Sequence, residues 1–218
     1  MKNILKILFE YKTLSREQAR DVLTGISKGQ YNESEITSFI TVFLMRSITI
    51  GELLGFQDAL LELAIKADLS GYETIDIVGT GGDGKNTFNI STLSCFIVAG
   101  TGQPVAKHGN YGATSISGAS NVMEQLGYKL SNDPEKLKKE MGKANICFLH
   151  APLFHPALKA VGGIRKNLGV RTFFNMLGPL VNPATPKYQL IGVYNLEMAR
   201  LYTYMLQKTE SSSAVLPP

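Results

Sequence analysis

The spacing of apolar and polar residues changes near residue 70. Before that point, apolar residues recur at helical spacing, with a capping-box pair ahead of several runs. The three pairs are Ser15 with Gln18, Asn32 with Glu35, and Thr49 with Glu52. They divide the segment into roughly four short helices. We therefore predict an all-helical domain over residues 1–70.

From about residue 73, short apolar runs alternate with helical stretches. The apolar runs predict strands at Glu73–Val78, Pro104–Ala106, Ile146–Leu149 and Gln189–Tyr194. Helices are predicted at about 90–100, 118–126, 134–143, 156–168 and 196–207. This alternation is typical of a mainly parallel sheet flanked by helices. We predict an α/β domain over residues 71–218, with ligands beyond the carboxyl ends of its strands.

Composition limits the class of protein. The chain has 218 residues, 44% hydrophobic and 18% charged, with a net charge of +4. These values are ordinary for a globular protein, and the charge alone does not indicate nucleic-acid binding. No apolar stretch has the length of a membrane span, and the first helix lacks a signal-peptide cleavage site. We expect a cytoplasmic protein whose Cys95 and Cys147 are reduced core residues.

The segment DIVGTGGDGKNTFNIST, residues 76–92, joins a predicted strand to a predicted helix through many glycines. It partly matches the glycine-rich loops of dinucleotide-binding proteins and of nucleotide hydrolases. Each of those loops requires a further residue that this chain lacks. The next strand ends without an acid, and Asn86 stands where a hydrolase loop needs Ser or Thr. The interpretation that remains is an anion-binding loop with one acid and several hydroxyls. Those residues are Asp83, Thr87, Ser91 and Thr92.

The segment AKHGNYGATSISGAS, residues 106–120, repeats the order of strand, glycine-rich loop and helix start. It carries Lys107 and a hydroxyl cluster at Thr114, Ser115 and Ser117. Two such loops at neighbouring strand ends favour two adjoining phosphate sites, with two structural loops as the alternative. A ligand with a monophosphate and a pyrophosphate would fit, and a pyrophosphate needs magnesium to mask its charge.

The third strand end adds His150, His155, Arg165, Arg171 and Asn175. Arg165 could hold a carboxylate with its planar guanidinium group. For each histidine, a packing role and a site role are equally compatible with the sequence.

The third strand end lies in the segment FLHAPLFHPALKAVGGIRKNLGVRTFFNMLGPLVNPA, residues 148–184. Together with the two glycine-rich segments, residues 76–92 and 106–120, it resembles the successive signatures of the anthranilate phosphoribosyltransferase family. The resemblance implies a small helical domain joined to an α/β domain. It also implies a homodimer through the helical domain, and small-molecule substrates rather than nucleic acid or a membrane. The implied reaction transfers the ribose phosphate of phosphoribosyl pyrophosphate (PRPP) to the amine of anthranilate, with Mg²⁺ as cofactor, in tryptophan biosynthesis.

The resemblance also implies site residues. PRPP contacts are implied at Gly79, Gly82, Asp83, Thr87, Asn89, Ile90, Ser91, Thr92, Lys107, His108, Gly109, Asn110, Tyr111, Gly112, Ala113, Thr114, Ser115 and Ala119. Anthranilate contacts are implied at Gly79, His108, Asn110, His155, Arg165 and Pro179. Asn110 and Arg165 are the implied catalytic residues, which orient the acceptor, and the Ser91 hydroxyl is the implied metal ligand.

The chain departs from the family in two places. Tyr111 stands where many relatives carry Arg. Family chains are longer, and an acidic pair that binds a second magnesium lies beyond the point where this chain stops. We expect a truncated member whose tail, residues 210–218, is frayed. The alternatives are a catalytically impaired fragment, a pyrimidine nucleoside phosphorylase and a nucleic-acid-binding relative of the same fold.

Overall fold

The computed structural model describes residues 1–81, 87–112, 117–209 and 211–217. The site predictions at residues 82, 83 and 113–115 lie outside the described residues. Residue contacts divide the chain into two units. The helical unit comprises Met1–Ile65 and His155–Val181, and the sheet unit comprises Lys66–Phe154 and Asn182–Pro218.

The helical unit begins with four helices, as the capping pattern predicts. They are α1 (Lys2–Phe9), α2 (Arg16–Ser27), α3 (Glu33–Met45) and α4 (Ile50–Glu62). Each of the three predicted capping boxes forms both of its reciprocal hydrogen bonds. These bonds satisfy backbone N–H groups that a helix start otherwise leaves unpaired.

Residues 155–181 add short helices to this unit, although the sequence places them in the α/β domain. The predicted helix over 156–168 is divided into a 3₁₀ turn (Pro156–Leu158) and α9 (Lys159–Leu168). Another helix, α10 (Phe174–Leu177), runs into a second 3₁₀ turn (Gly178–Leu180). The domain boundary at residue 70 stays a prediction.

An aromatic cluster explains why residues 155–181 group with the helices. Phe173 is buried and stacks on Phe56, with ring centroids 4.6 Å apart. It also packs edge-on against Phe39 and Phe43 of α3. Burying such rings contributes about 1.5–3 kcal/mol each, so this segment completes the core of the helical unit.

The sheet unit contains a five-stranded sheet in its described residues, in the order β3-β2-β1-β4-β5. The strands are β1 (Ile75–Gly79), β2 (Val105–Gly109), β3 (Ile146–His150), β4 (Tyr188–Gly192) and β5 (Ser212–Leu216). All neighbouring pairs are parallel. The predicted fold class, an N-terminal helical part and a parallel sheet flanked by helices, is confirmed.

Five helices accompany the strands: α5 (Ile90–Gly100), α6 (Ala119–Gln125), α7 (Pro134–Ala144), α8 (Ala151–Phe154) and α11 (Leu196–Leu206). Val105 packs in an apolar cluster with α5, whereas Ala106 packs in a different cluster with α7. Successive strand residues point to opposite faces, so α5 and α7 cover opposite faces of the sheet. None of the helices in the described ranges is long and apolar enough to span a membrane.

Both cysteines are free and buried in this core. Burial raises the pKa of the Cys95 thiol and of the Cys147 thiol to about 12. A thiol reacts as its thiolate, so both side chains behave as small apolar residues near neutral pH.

The prediction of a frayed tail is wrong. Residues Ser212–Leu216 form β5, paired with β4 in parallel register from Tyr188 opposite Ser212 to Gly192 opposite Leu216. The side chains of this strand are mostly exposed. Backbone hydrogen bonds to the neighbouring strand stabilise it, so it needs little of the apolar pattern that identifies buried strands.

Candidate active site

The two glycine-rich loops follow neighbouring strands of the sheet. β1 ends at Gly79 and β2 ends at Gly109, and the two strands are parallel neighbours. Their carboxyl ends therefore meet at one edge of the sheet, where ligands of such folds bind. Asn89 Nδ2 donates to Ser117 Oγ at 3.4 Å, which links the end of the first loop to the second.

The first loop leads into α5, an eleven-residue helix that begins after Asn89. The Asn89 side chain forms no capping hydrogen bond with the described residues. Thr92 Oγ1 is buried and also has no hydrogen-bond partner within that part of the chain. An uncapped helix start presents N–H groups and partial positive charge, which suit an anionic ligand. Thr87, Ile90 and Ser91, three further predicted contacts, lie in the same segment.

The second loop rests on a buried polar network that the sequence analysis missed. Asp76 of β1 is fully buried, and its Oδ1 accepts the backbone N–H of His108 at 3.3 Å. Its Oδ2 accepts Asn182 Nδ2 at 2.9 Å, and Asn182 also donates to the Ala106 carbonyl. Lys107 is buried, with Nζ donating to the His108 carbonyl at 2.9 Å. The network fixes the backbone of β2 where it enters the loop.

Two effects on the Asp76 carboxyl oppose each other. Burial raises its pKa, while the positive charge of Lys107 and the hydrogen bond from Asn182 lower it, and burial prevails. An acid in the otherwise apolar run IDIVG was the sequence signal for this network. An acid inside a buried strand requires partners, because burying it alone is costly.

The loop backbone at residues 109–112 lies against the start of α6. A Cβ atom at Gly118 would lie 2.3 Å from the Gly112 nitrogen, and one at Gly109 would lie 3.0 Å from the Ala119 Cβ. Asn121 Oδ1 accepts the N–H groups of Gly112 and Gly118, at 3.2 and 2.9 Å. The contacts hold Asn110 and Tyr111, both predicted site residues, in one defined loop.

The helical unit contains the other predicted site residues, His155, Arg165 and Pro179. His155 and Pro179 are buried. Arg165 Nη2 donates to Asn175 Oδ1 at 3.3 Å, and its guanidinium lies 5.3 Å from the centre of the Phe174 ring. Burial lowers the pKa of Arg165, but a guanidinium remains charged in proteins.

Gln57 is a further residue of the helical unit that the sequence analysis did not single out. It is buried in α4, and its Nε2 donates to the Leu180 carbonyl at 2.8 Å. That bond anchors the turn that carries Pro179. A single amide inside the apolar run LLGFQDALL was the available signal.

Two family models match the chain. The model described as glycosyl transferase family, helical bundle domain, matches residues 2–64. The model described as glycosyl transferase family, a/b domain, matches residues 71–217. The chain belongs to the glycosyl transferase family.

Within the glycosyl transferase family, the resemblance drawn from the three motifs is confirmed. An anthranilate phosphoribosyltransferase from Flavobacterium johnsoniae is 62% identical over 216 residues, covering 99% of this chain and 66% of the relative. The chain therefore spans slightly less than two thirds of that relative's length.

Solved structures of glycosyl transferase relatives agree with this. Anthranilate phosphoribosyltransferase from Thermus thermophilus matches with a TM-score of 0.87 at 33% identity, covering 95% of this chain and 63% of that one. The enzyme from Saccharomyces cerevisiae in complex with PRPP and Mg matches with a TM-score of 0.88 at 31% identity, covering 97% of this chain and 63% of that one. The yeast enzyme in complex with 4-fluoroanthranilate matches with a TM-score of 0.82 at 28% identity, covering 97% of this chain and 62% of that one.

Proposed function

We propose that this chain transfers the 5-phosphoribosyl group from PRPP to the amine of anthranilate and releases pyrophosphate, a step of tryptophan biosynthesis. The observation that carries the proposal is the pair of glycine-rich loops at adjacent strand ends, joined by the bond between Asn89 and Ser117. One loop leads into α5, whose start has no side-chain cap from Asn89 among the described residues. A substrate with two phosphate groups suits two neighbouring anion sites.

The sheet unit binds PRPP in this proposal. Backbone N–H groups at the start of α5 and the Thr92 hydroxyl donate to the pyrophosphate, which gains charge as it leaves. Asn110 orients the amine of the acceptor toward the anomeric carbon. The second phosphate site consists of the remaining predicted PRPP contacts among the described residues, which are Lys107, His108, Gly109, Tyr111, Gly112 and Ala119.

The helical unit binds anthranilate. The guanidinium of Arg165 donates two parallel hydrogen bonds to the carboxylate of the acceptor. Asn175 and the Phe174 ring hold that guanidinium in place, which lowers the entropy lost on binding. The His155 ring and Pro179 flank the aromatic ring of the acceptor. The relative solved with 4-fluoroanthranilate supports a site for this class of acceptor.

Magnesium fits the donors that the chain offers. Among the described residues, no three His, Cys, Asp or Glu side chains are grouped to hold a metal. Mg²⁺ keeps several waters and takes phosphate oxygens alongside few protein ligands, so the ion would arrive largely with PRPP. The Ser91 hydroxyl would supply a ligand from the chain. When bound, the ion would supply positive charge beside the leaving pyrophosphate, and the relative solved with PRPP and Mg supports its use.

A homodimer formed through the helical domain and a cytoplasmic location belong to the same proposal. No nucleic-acid or membrane partner is required by it. Size-exclusion chromatography with light scattering measures the oligomeric state, and a monomer at micromolar concentration would contradict the dimer.

The decisive experiment follows anthranilate fluorescence when the chain is mixed with PRPP and Mg²⁺. Loss of anthranilate that depends on the metal, matched by release of pyrophosphate, supports the proposal. A chelator-treated sample is the control. If anthranilate persists while calorimetry detects PRPP binding, the chain is a catalytically impaired member, and absence of both signals contradicts the proposal.

A further inference from the structure

His150, at the end of β3, has no role in the function proposed above. It is buried, and its Nδ1 lies 2.8 Å from Ser120 Oγ. Its ring lies edge-on to the Tyr111 ring, with centroids 4.8 Å apart at 73°. Ser120 is fully buried, so each member of this hydrogen bond depends on the other to avoid an unsatisfied polar group.

Both groups that His150 contacts also hold Asn110. The backbone N–H of Ser120 donates to the Asn110 carbonyl at 3.1 Å. The backbone N–H of Tyr111 donates to Asn110 Oδ1 at 2.8 Å. One contact therefore fixes the main chain of Asn110, and the other fixes the orientation of its side-chain amide.

Tyr111 is held from a second direction as well. Its hydroxyl donates to Glu124 Oε1 of α6 at 3.2 Å. The Tyr111 side chain thus contacts both Glu124 and His150, while 43% of the residue is exposed to solvent. Ser120 and Glu124 lie one turn apart on α6, so His150 and α6 contact the loop from Asn110 to Gly112 on one side, while its residues stay exposed to solvent on the other.

We propose that His150 is a positioning residue for Asn110. It acts through the Ser120 hydroxyl and the Tyr111 ring, which fix the main chain and the side-chain amide of Asn110. The catalytic consequence rests on the proposed role of Asn110 in orienting the acceptor. The placement of the loop does not rest on that role and can be measured in the free protein.

Three variants probe the two contacts of His150, and a fourth is the control. His150→Phe keeps a ring against Tyr111 and removes the hydrogen bond, whereas His150→Asn keeps a polar group near the position of Nδ1 and removes the ring. Ser120→Ala combined with His150→Phe removes both partners of the bond, so that neither is left unsatisfied. Tyr128→Phe is the matched control, because its hydroxyl bond to Glu140, at 2.8 Å, joins another side-chain pair of the same unit.

The first readout is hydrogen exchange of the backbone amide of residue 120, whose N–H donates to the Asn110 carbonyl, compared after correction for the intrinsic exchange rates of serine and alanine. We expect about tenfold faster exchange in the double variant, from loss of roughly one hydrogen bond's worth of protection. The melting temperature should stay within about 4 °C of wild type, because no buried partner is left unsatisfied. A role in packing alone would leave exchange at Ser120 unchanged, and that result would overturn the proposal.

The second readout is turnover. In the double variant, kcat should fall about tenfold while the KM for PRPP changes less than about threefold. His150→Asn keeps a partner for the Ser120 hydroxyl but loses the ring contact with Tyr111, so its kcat should fall less than that of the double variant, and Tyr128→Phe should match wild type. Wild-type kcat in the double variant and in His150→Asn would contradict the assignment, as would a loss in Tyr128→Phe equal to that in the double variant. If His150→Phe does not fold, the double variant and His150→Asn decide the question.

The two readouts also separate this proposal from the proposed function. If the wild-type chain neither consumes anthranilate nor binds PRPP, the proposed function fails, and exchange at Ser120 still decides whether His150 holds the loop. If the wild type is active and exchange is unchanged in the double variant, the positioning role fails and the proposed function stands.

Discussion

Replacing Gly118 with Ala is predicted to displace the loop that carries Asn110. A Cβ atom at this position would lie 2.3 Å from the Gly112 nitrogen, 2.4 Å from the Tyr111 carbonyl carbon and 2.6 Å from the Asn110 oxygen. The φ of Gly118 is −101°, a value that alanine adopts without strain. The effect is therefore steric and acts on the loop rather than on the helix start.

The size of the displacement follows from these distances. Ordinary contacts of a Cβ begin near 3.4 Å, so the new methyl group is about 1 Å too close to its nearest backbone atom. Backbone atoms cannot rotate away as the end of a side chain can. A displacement of about 1 Å at a positioned group costs roughly 10²-fold in rate, and overpacking costs about 1–3 kcal/mol of stability.

Two other glycines of the sheet unit provide a graded comparison. At Gly109, a Cβ would lie 2.8 Å from the buried Phe148 ring, which predicts a smaller loss. At Gly142, inside α7, it would lie 3.6 Å from Tyr72 Oη, an ordinary contact. Gly142→Ala should therefore stabilise the protein by about 0.5–1 kcal/mol, through lower entropy of the unfolded chain.

The measurements are the urea midpoint of unfolding and kcat/KM with PRPP and anthranilate. We expect the largest decrease in the urea midpoint and in kcat/KM for Gly118→Ala, a smaller decrease for Gly109→Ala, and no decrease for Gly142→Ala. A wild-type midpoint and rate for Gly118→Ala would refute the close packing of the loop on α6. A lowered midpoint with unchanged kcat/KM would refute the catalytic importance of the loop position.

Three further predictions concern other parts of the site and the core. Arg165→Ala should weaken use of anthranilate far more than PRPP binding, and equal losses in steady-state kinetics and calorimetry would contradict its role at the carboxylate. Asn182→Ala removes the donor to Asp76, so buried polar groups lose their partners. The free energy of unfolding measured in urea should fall by about 2–4 kcal/mol. A decrease under about 0.5 kcal/mol would argue against the network. Burial would raise the pKa of Glu52, but hydrogen bonds led by that from Arg46 lower it overall. Stability from Glu52 is then present above its ordinary pKa of 4.5 and lost as pH falls through the lower folded value. Glu52→Gln should flatten the dependence of the unfolding midpoint on acid pH, and an unchanged pH profile would contradict this.

Local signals made much of the fold predictable. A capping box fixes a helix start through bonds between residues three apart, so Ser15 with Gln18 could be recognised without tertiary information. The buried strands β1 and β3 were recognised because most of their side chains are apolar and apolar residues occur on both faces. The glycine-rich loops followed from their place between such strands and the next helix.

Features that depend on distant partners could not be predicted in the same way. Pairing with β4 makes residues 212–216 a strand, and serines in that segment indicate a turn when considered alone. Phe173 was recognisable as apolar, but nothing local indicates that it packs on Phe56 of α4 rather than on the sheet. The contact of His150 with Ser120 likewise joins residues thirty positions apart.

The discontinuity of the helical unit has a consequence for how the chain folds as it is synthesised. The first four helices are made early, but their aromatic core lacks Phe173 until that residue is translated. By then β1, β2 and β3 have already been made. The unit encoded first thus completes its core after most of the unit encoded second is available.

Ribosomal synthesis normally lets an N-terminal domain finish folding before the next one begins. Here the helical unit is the first to be translated, but its core is completed late. Until Phe173 is translated, the rings of Phe39, Phe43 and Phe56 lack one of their packing partners. During that interval the nascent chain exposes an aromatic surface of the kind that chaperones bind and that favours aggregation. The rate at which residues 66–173 are translated therefore bears on the yield of folded protein.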